Sequence, residues 1–256
     1  MQQRIVMIHG MWGTADYWEK YRRFFEGEGY ECYTPTLRYH DMAPADDPDP
    51  RLGTTSLLDY AEDLETFIRR LSTKPILMGH SMGGLLAQIL AGRGLAEKLV
   101  LLTSASPAGI NALKYSTLKS FREQLMTWGF WRKPHRLSFE LAVYSMLHLL
   151  PPDEQKAVYS RFVYESGRAA AEIGFWLFDF KGAARVDANK VTCPVLVVSG
   201  AEDRITPASV GKKIAKKYRH VATYHKFERH AHWVVGEPGW EDVATFVYEW
   251  LERLPA

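Results

Sequence analysis

The stretch Gly79-His80-Ser81-Met82-Gly83-Gly84 restricts the possible folds of this chain more than any other. The apolar run Ile76-Leu77-Met78 leads into it, and Leu85-Leu86-Ala87-Gln88-Ile89-Leu90 follows with the pattern of a helix. A strand that passes into a helix through so short a turn needs glycines two positions either side of the apex, where the two backbones approach closely. Ser81 at that apex is expected to be strained, with its hydroxyl exposed, beside the N–H groups and positive dipole end of the following helix. The pattern has few specified positions, so its weight comes from the strand before it and the helix after it. The bland alternative is a glycine-rich turn whose serine is incidental.

The rest of the chain repeats this alternation. Arg4 to His9 is a short β-branched run closing on His9-Gly10, and Glu31 to Thr34 is a second strand ended by Pro35. Between them Asp16 is expected to cap a helix reaching about Glu28. Thr36 to Thr54, rich in Pro and Asp, reads as a long surface loop. Leu57 to Leu71 carries a single apolar helical stripe, Pro75 to Gly79 and Leu99 to Thr103 read as buried strands, and Met82 to Gly92 as a helix. The pattern stops after Pro107 and resumes with a strand at Pro194 to Ser199, a helix at Pro207 to Tyr218, a strand at Ala222 to Phe227 and a closing helix at Trp240 to Leu254. Such alternation implies an α/β fold, a mostly parallel sheet with helices on both faces. Residues 1–107 and 185–256 then form one core, and 108–184 is a helical insertion between two of its strands.

Composition narrows the function. Lys+Arg 32 against Asp+Glu 30 leaves a formal charge of +2, which argues against a nucleic-acid binder that would need a basic face. The basic run Lys212, Lys213, Lys216 and Lys217 has the spacing of a solvated helix face. Cys32 and Cys193 form no paired-thiol or zinc motif, so no metal or cofactor is expected and a reduced, cytoplasmic location fits. No secretory leader is visible, and no run approaches the roughly 18 apolar residues of a membrane span.

A serine nucleophile needs a base, and the base an orienting carboxylate. Asp203 lies in the loop after the Pro194–Ser199 strand, at the strand end where α/β sheets collect functional groups; Glu202 is its only near rival, and a plain helix-capping aspartate the bland reading. The loop after the last strand holds both His230 and His232, and residue type alone leaves the choice open. A tetrahedral intermediate also needs two backbone N–H donors. Met82 supplies one; the loop His9-Gly10-Met11-Trp12-Gly13 supplies the other, from Met11 or in reserve Trp12. His9 is expected to buttress that loop and His80 to pack inside the turn.

Together these four segments, in this order and spacing, resemble the α/β-hydrolase superfamily over nearly the whole chain. The resemblance implies that fold with about six strands, the antiparallel first two strands of larger members being absent. It implies a catalytic triad of Ser81, Asp203 and His232, the histidine chosen over His230 because His232-Trp233 with Glu237-Pro238 matches the family pattern, although Ala231 replaces the usual glycine. It implies an oxyanion hole at Met11 and Met82, a substrate contact at Trp12, and a cap formed by the insertion. The expected activity is hydrolysis of a carboxylic ester; thioester, lactone or carbon–carbon bond hydrolysis would use the same groups, and a ligand-capturing receptor would keep them without turnover. The insertion's aromatics, Trp128, Phe130, Trp131, Tyr144, Phe162, Tyr164, Phe175, Trp176, Phe178 and Phe180, would pack the cap itself or line a pocket for an apolar or aromatic acyl group in a small-molecule substrate. The oligomeric state stays open.

Overall fold

The structure, a computed structural model, describes residues 2–112 and 114–254; the outermost ends of the expected core and Leu113 of the expected insertion lie outside the described residues. Its elements run β1 (Arg4–Ile8), α1 (Glu19–Gly27), β2 (Glu31–Tyr33), α2 (Leu57–Ile68), β3 (Ile76–His80), α3 (Met82–Gly92) and β4 (Leu99–Leu102). A mixed stretch follows: α4 (Tyr115–Ser120), α5 (Arg122–Met126), β5 (Pro134–His135), α6 (Phe139–Ala142), α7 (Pro152–Tyr159), β6 (Glu165–Ser166) and α8 (Gly167–Gly174). The chain then closes with β7 (Val195–Gly200), α9 (Ala208–Lys217), β8 (Ala222–Phe227) and α10 (Trp240–Glu252).

The main sheet has six strands in the order β2-β1-β3-β4-β7-β8, every pair parallel. Helices cover both faces, so the central strands β3, β4 and β7 are buried at every residue and read as unbroken apolar runs rather than alternating ones. Edge strand β8 is instead part-exposed along its length. Register places the functional loops: Gly79 pairs with Ile8, His80 with Leu102, and Leu102 with Val198. The carboxyl ends of β1, β3, β4 and β7 therefore share one rim.

Two sequence expectations change. Thr14, not Asp16, caps the first helical segment, accepting from the Asp16 N–H, and that segment opens as a 3-10 turn over Ala15–Trp18. The 36–54 loop is not purely a surface loop, because Leu37, His40 and Leu52 are buried. His40 meets Glu165 and the Pro44 carbonyl accepts from Arg136, both of the 108–184 stretch, a contact that periodicity within the loop could not reveal.

That stretch leaves and rejoins the core at one point, the Ala108 N–H donating to the Ala184 carbonyl at 2.8 Å. Its attachments elsewhere are polar and buried. Glu172 of α8 accepts from the Leu57 N–H at 2.8 Å and from Ser56 Oγ at 2.9 Å, adding a carboxylate to the capping box of Ser56 and Asp59 at the start of α2. The Val163 N–H donates to the Trp12 carbonyl at 3.0 Å. Glu165 reaches His40 Nε2 at 3.1 Å and accepts from Tyr60 Oη at 2.9 Å, with the His and Glu side chains fully buried.

Candidate active site

Ser81 sits between β3 and α3 at φ 53° and ψ −121°, a conformation that costs energy for any residue with a Cβ. The neighbouring backbone enforces it. A Cβ on Gly83 would lie 2.0 Å from the Ile8 carbonyl oxygen, and one on Gly79 2.3 Å from that of Gly83, so both positions need glycine for close approach. The Ser81 carbonyl is held by the Ala105 N–H at 2.9 Å, and its N–H donates to Leu102 at 3.1 Å. Behind it Gln88 Nε2 donates to Ser104 Oγ at 2.9 Å, and Tyr218 Oη to Gln88 Oε1 at 2.9 Å.

The Ser81 hydroxyl lies 3.0 Å from His232 Nε2, and His232 Nδ1 lies 2.8 Å from Asp203 Oδ2. Of the two candidate histidines it is His232 that reaches Ser81. His230 turns away and places Nδ1 3.0 Å from Glu237 Oε1, which also accepts the Ala231 N–H at 2.8 Å. Ala231 has no positive φ, so the absent glycine costs nothing there. Asp203 is buried and has a full set of donors: Oδ1 accepts from the Ile205 and Thr206 N–H groups at 2.8 Å each, while Oδ2 faces Thr206 Oγ1 at 2.7 Å. Burial alone would raise its pKa, but the His232 imidazole and these hydrogen bonds outweigh that and hold the carboxyl below its ordinary value. The helix-capping reading of Asp203 does not hold, because Pro207 stands at the start of α9 and no side chain caps it; Oδ1 instead fixes the turn at Ile205 and Thr206 while Oδ2 faces the imidazole.

Three residues that sequence reasoning left in structural roles or passed over support this arrangement. His80 Nε2–H donates to the His232 carbonyl at 2.8 Å, and Thr103 Oγ1–H donates to the same oxygen at 3.1 Å. Thr206 Oγ1 lies within reach of Asp203, the Thr103 carbonyl and His232 Nδ1. No local pattern marks them, because each acts across the sheet rim. Burial, followed by the nearby His232, depresses His80 to about 3, so it is a neutral donor. Burial likewise takes His9 to about 3; its Nε2 accepts the Leu37 N–H at 3.1 Å and its Nδ1–H faces the Gly10 carbonyl, which braces the loop before Met11.

Neither the Met11 nor the Met82 N–H donates to a backbone acceptor among the described residues, and both residues line a cavity of about 370 Å³ with Ser81. Among the described residues none of those lining it is charged; Ile110, Leu118, Phe121, Leu125, Ile173 and Phe178 are representative. Trp12 is not among them, a correction to its expected substrate contact. Its ring is buried behind the wall against Phe121 and His135, and its φ of 63° belongs to the turn. The insertion's aromatics divide: Phe162 is fully buried, Phe130, Phe175, Trp176 and Phe178 line the cavity, and Trp128 and Phe180 lie open to solvent. Uncharged walls around an aligned hydroxyl, imidazole and carboxylate can bind a neutral carbonyl compound and attack it.

Comparison with known proteins agrees with the fold. The model of the alpha/beta hydrolase family matches residues 5–245. Among curated proteins, Protein ABHD8 of Mus musculus is 25% identical over 260 residues, covering 96% of this chain and 54% of its own length. Protein ABHD8 of Bos taurus is 25% identical over 225 residues, covering 83% and 48%. The chain thus spans about half the length of these relatives. Among solved structures, the methylesterase protein MES16 from Arabidopsis superposes with a TM-score of 0.73 at 14% identity, over 98% of this chain and 100% of that one. A thermophilic esterase from Thermogutta terrifontis gives 0.69 at 21% identity, over 99% and 90%. At such identities the likeness establishes the fold.

Proposed function

The chain belongs to the alpha/beta hydrolase family, and from that premise we propose that it is a serine hydrolase cleaving a carboxylic ester of an apolar acyl compound. Ser81 is the nucleophile, His232 the base and Asp203 the group that orients it. The observation that carries this reading is the unbroken hydrogen-bonded line from Ser81 through His232 to Asp203, at 3.0 and 2.8 Å, opening on an uncharged cavity.

In the reaction, Ser81 Oγ attacks the ester carbonyl carbon while its proton passes to His232 Nε2. Asp203 holds Nδ1–H and stabilises the imidazolium that forms. The negative carbonyl oxygen is met by the Met11 and Met82 N–H groups, which cost little reorganisation because neither donates to a backbone acceptor among the described residues. Collapse breaks the carbon–oxygen bond, and the leaving alkoxide takes the proton from His232. Water then repeats the sequence on the acyl-enzyme: His232 takes its proton, hydroxide adds to the acyl carbon, and Ser81 Oγ leaves with that proton. The product is the carboxylic acid.

Segment 108–184 is assigned as a cap over this cavity, a reading supported by its closed base at Ala108 and Ala184 and by its contribution of most of the apolar wall. A fluorophosphonate probe tests the assignment. It should label Ser81, with label and p-nitrophenyl ester turnover both lost in Ser81→Ala. Labelling elsewhere, or turnover that survives the substitution, would overturn it. A panel of esters, thioesters and lactones decides the bond cleaved.

A further inference from the structure

Ten large apolar side chains are exposed among the described residues, and all of them lie between Tyr115 and Phe180. They fall in two runs, one through α4, α5 and the turn after them, the other just beyond α8. Ring contacts join the runs: Trp128 to Trp131 at 5.5 Å, Trp131 to Phe130 at 5.6 Å, and Phe130 to Phe175 at 6.1 Å. The exposure is large, 86% at Trp128, 85% at Met126 and 97% at Phe180. Leu118, Leu125, Phe175, Leu177 and Phe178 belong both to this surface and to the cavity beside Ser81, so the patch is the rim of the cavity mouth. An apolar surface of this kind marks an interaction site.

Charge decides what covers it. Lys114, Arg122, Arg132, Lys133 and Lys181 are exposed within or next to the same two runs, and none has an ion-pair partner among the described residues. The acids nearby are occupied: Glu123 accepts the Ser138 N–H at 3.2 Å, and Asp179 accepts the Lys181 and Ala183 N–H groups. A two-fold self-association through this face would bring the same unpaired cations against their own copies. Aromatic rings that can sit at headgroup depth, ringed by lysines and arginines that can reach upward to phosphates, instead suit an anionic lipid surface.

We infer that the cavity rim docks on an anionic lipid bilayer, from which an apolar substrate passes directly to the mouth beside Ser81. The docking stands on the surface alone, while the transfer to Ser81 rests on the hydrolase reading above.

The test is cosedimentation of the full chain with vesicles of phosphatidylcholine, alone or with about a third phosphatidylglycerol, with tryptophan emission recorded in parallel. Binding should need phosphatidylglycerol, weaken in high salt and shift the emission to the blue. Trp128→Ser combined with Phe180→Ser should weaken it about tenfold or more, as should Arg122→Glu combined with Arg132→Glu. None of these four side chains lines the cavity, so thermal unfolding and turnover of a soluble short-chain ester should be unchanged. Ser81→Ala should bind vesicles like the unaltered protein, which separates failure of docking from failure of the triad. Binding that ignores phosphatidylglycerol, or survives both double variants, overturns the proposal. So does a dimer in sedimentation velocity that Trp128→Ser with Phe180→Ser dissolves, which would give the face to a second copy.

Discussion

His80, one residue before Ser81, donates from Nε2 to the backbone carbonyl of His232 at 2.8 Å. The turn carrying the proposed nucleophile thereby also anchors the loop carrying the proposed base, and a shift of one is transmitted to the other. Thr103 shares the same acceptor at 3.1 Å, so the anchor has two points.

Removing one point should loosen the imidazole without touching substrate. His80→Ala is expected to lower kcat by about tenfold to a hundredfold, the scale of a small misplacement of reacting groups. KM should hardly move. His80→Gln, which can still present an N–H, should recover part of the loss. Steady-state kinetics on one p-nitrophenyl ester checks this, and a KM effect with kcat intact would mean that His80 serves the pocket instead.

The two histidines of the last loop should behave differently. His232→Ala is expected to lose several orders of magnitude in kcat, and Asp203→Asn about four, because the wrong imidazole tautomer is then favoured. His230→Ala should keep turnover within severalfold. It gives up the bond to the buried Glu237 and the ring contact with Phe227, and so costs about 2 kcal/mol of stability. Kinetics beside urea unfolding separates the two effects.

Stability should fall steeply in acid. Burial holds His9 and His80 to about 3 and His135 to about 4, so all three stay neutral in the fold but take up protons once unfolded. Their folded pKa values lie below the unfolded one of about 6.5. Their contribution is therefore present above about pH 6.5 and lost as pH falls towards 4, at up to about 1.4 kcal/mol per unit for each. For His40, burial pulls the pKa down, but Glu165 outweighs it and the net shift is upward, so its contribution is full in acid and fades as pH rises through the raised value. For Glu165, burial pushes up, but His40 and the Ser166 and Tyr60 hydrogen bonds win; its contribution disappears in strong acid. Maximum stability should lie near neutrality. Glu165→Gln should cost about 3 kcal/mol there, as expected when one member of a buried pair is removed. Melting curves across pH, with and without the substitution, provide the measurement; a melting temperature flat from pH 7 to about 4 contradicts the assignment.

The cavity walls should read chain length and charge. With no charged lining residue, kcat/KM is expected to rise by up to about fourfold per added methylene until the cavity is filled. An acyl chain ending in a carboxylate should be a far poorer substrate than its neutral isostere. A series of p-nitrophenyl esters reads both trends, and a preference for the charged acyl chain would refute the apolar assignment.

Much of the fold was legible because its determinants are local. The strands β3, β4 and β7 announce themselves as unbroken apolar runs, since covered faces on both sides leave no solvent side to alternate with. Met82–Gly92 and Ala222–Phe227 match the expected spans. The 36–54 loop lies at the surface except at Leu37, His40, Leu52 and Gly53, and no pattern within it marks these because their burying partners, such as Glu165 for His40, are distant in sequence.

By itself, the order of residues determined the strand-to-helix alternation, the strained turn at Ser81 and the short set of groups able to act beside it, because backbone sterics and periodicity are properties of neighbours along the chain. The pattern His232-Trp233 with Glu237-Pro238 already favoured His232 over His230; only the tertiary structure decided that Trp12 stands behind the cavity wall instead of lining it, and that His80, Thr103, Thr206 and Glu165 hold the parts together. Those outcomes depend on hydrogen bonds and burial between segments up to 152 positions apart. A polar side chain's role there is set by which desolvated partner it meets, and no local pattern encodes that meeting.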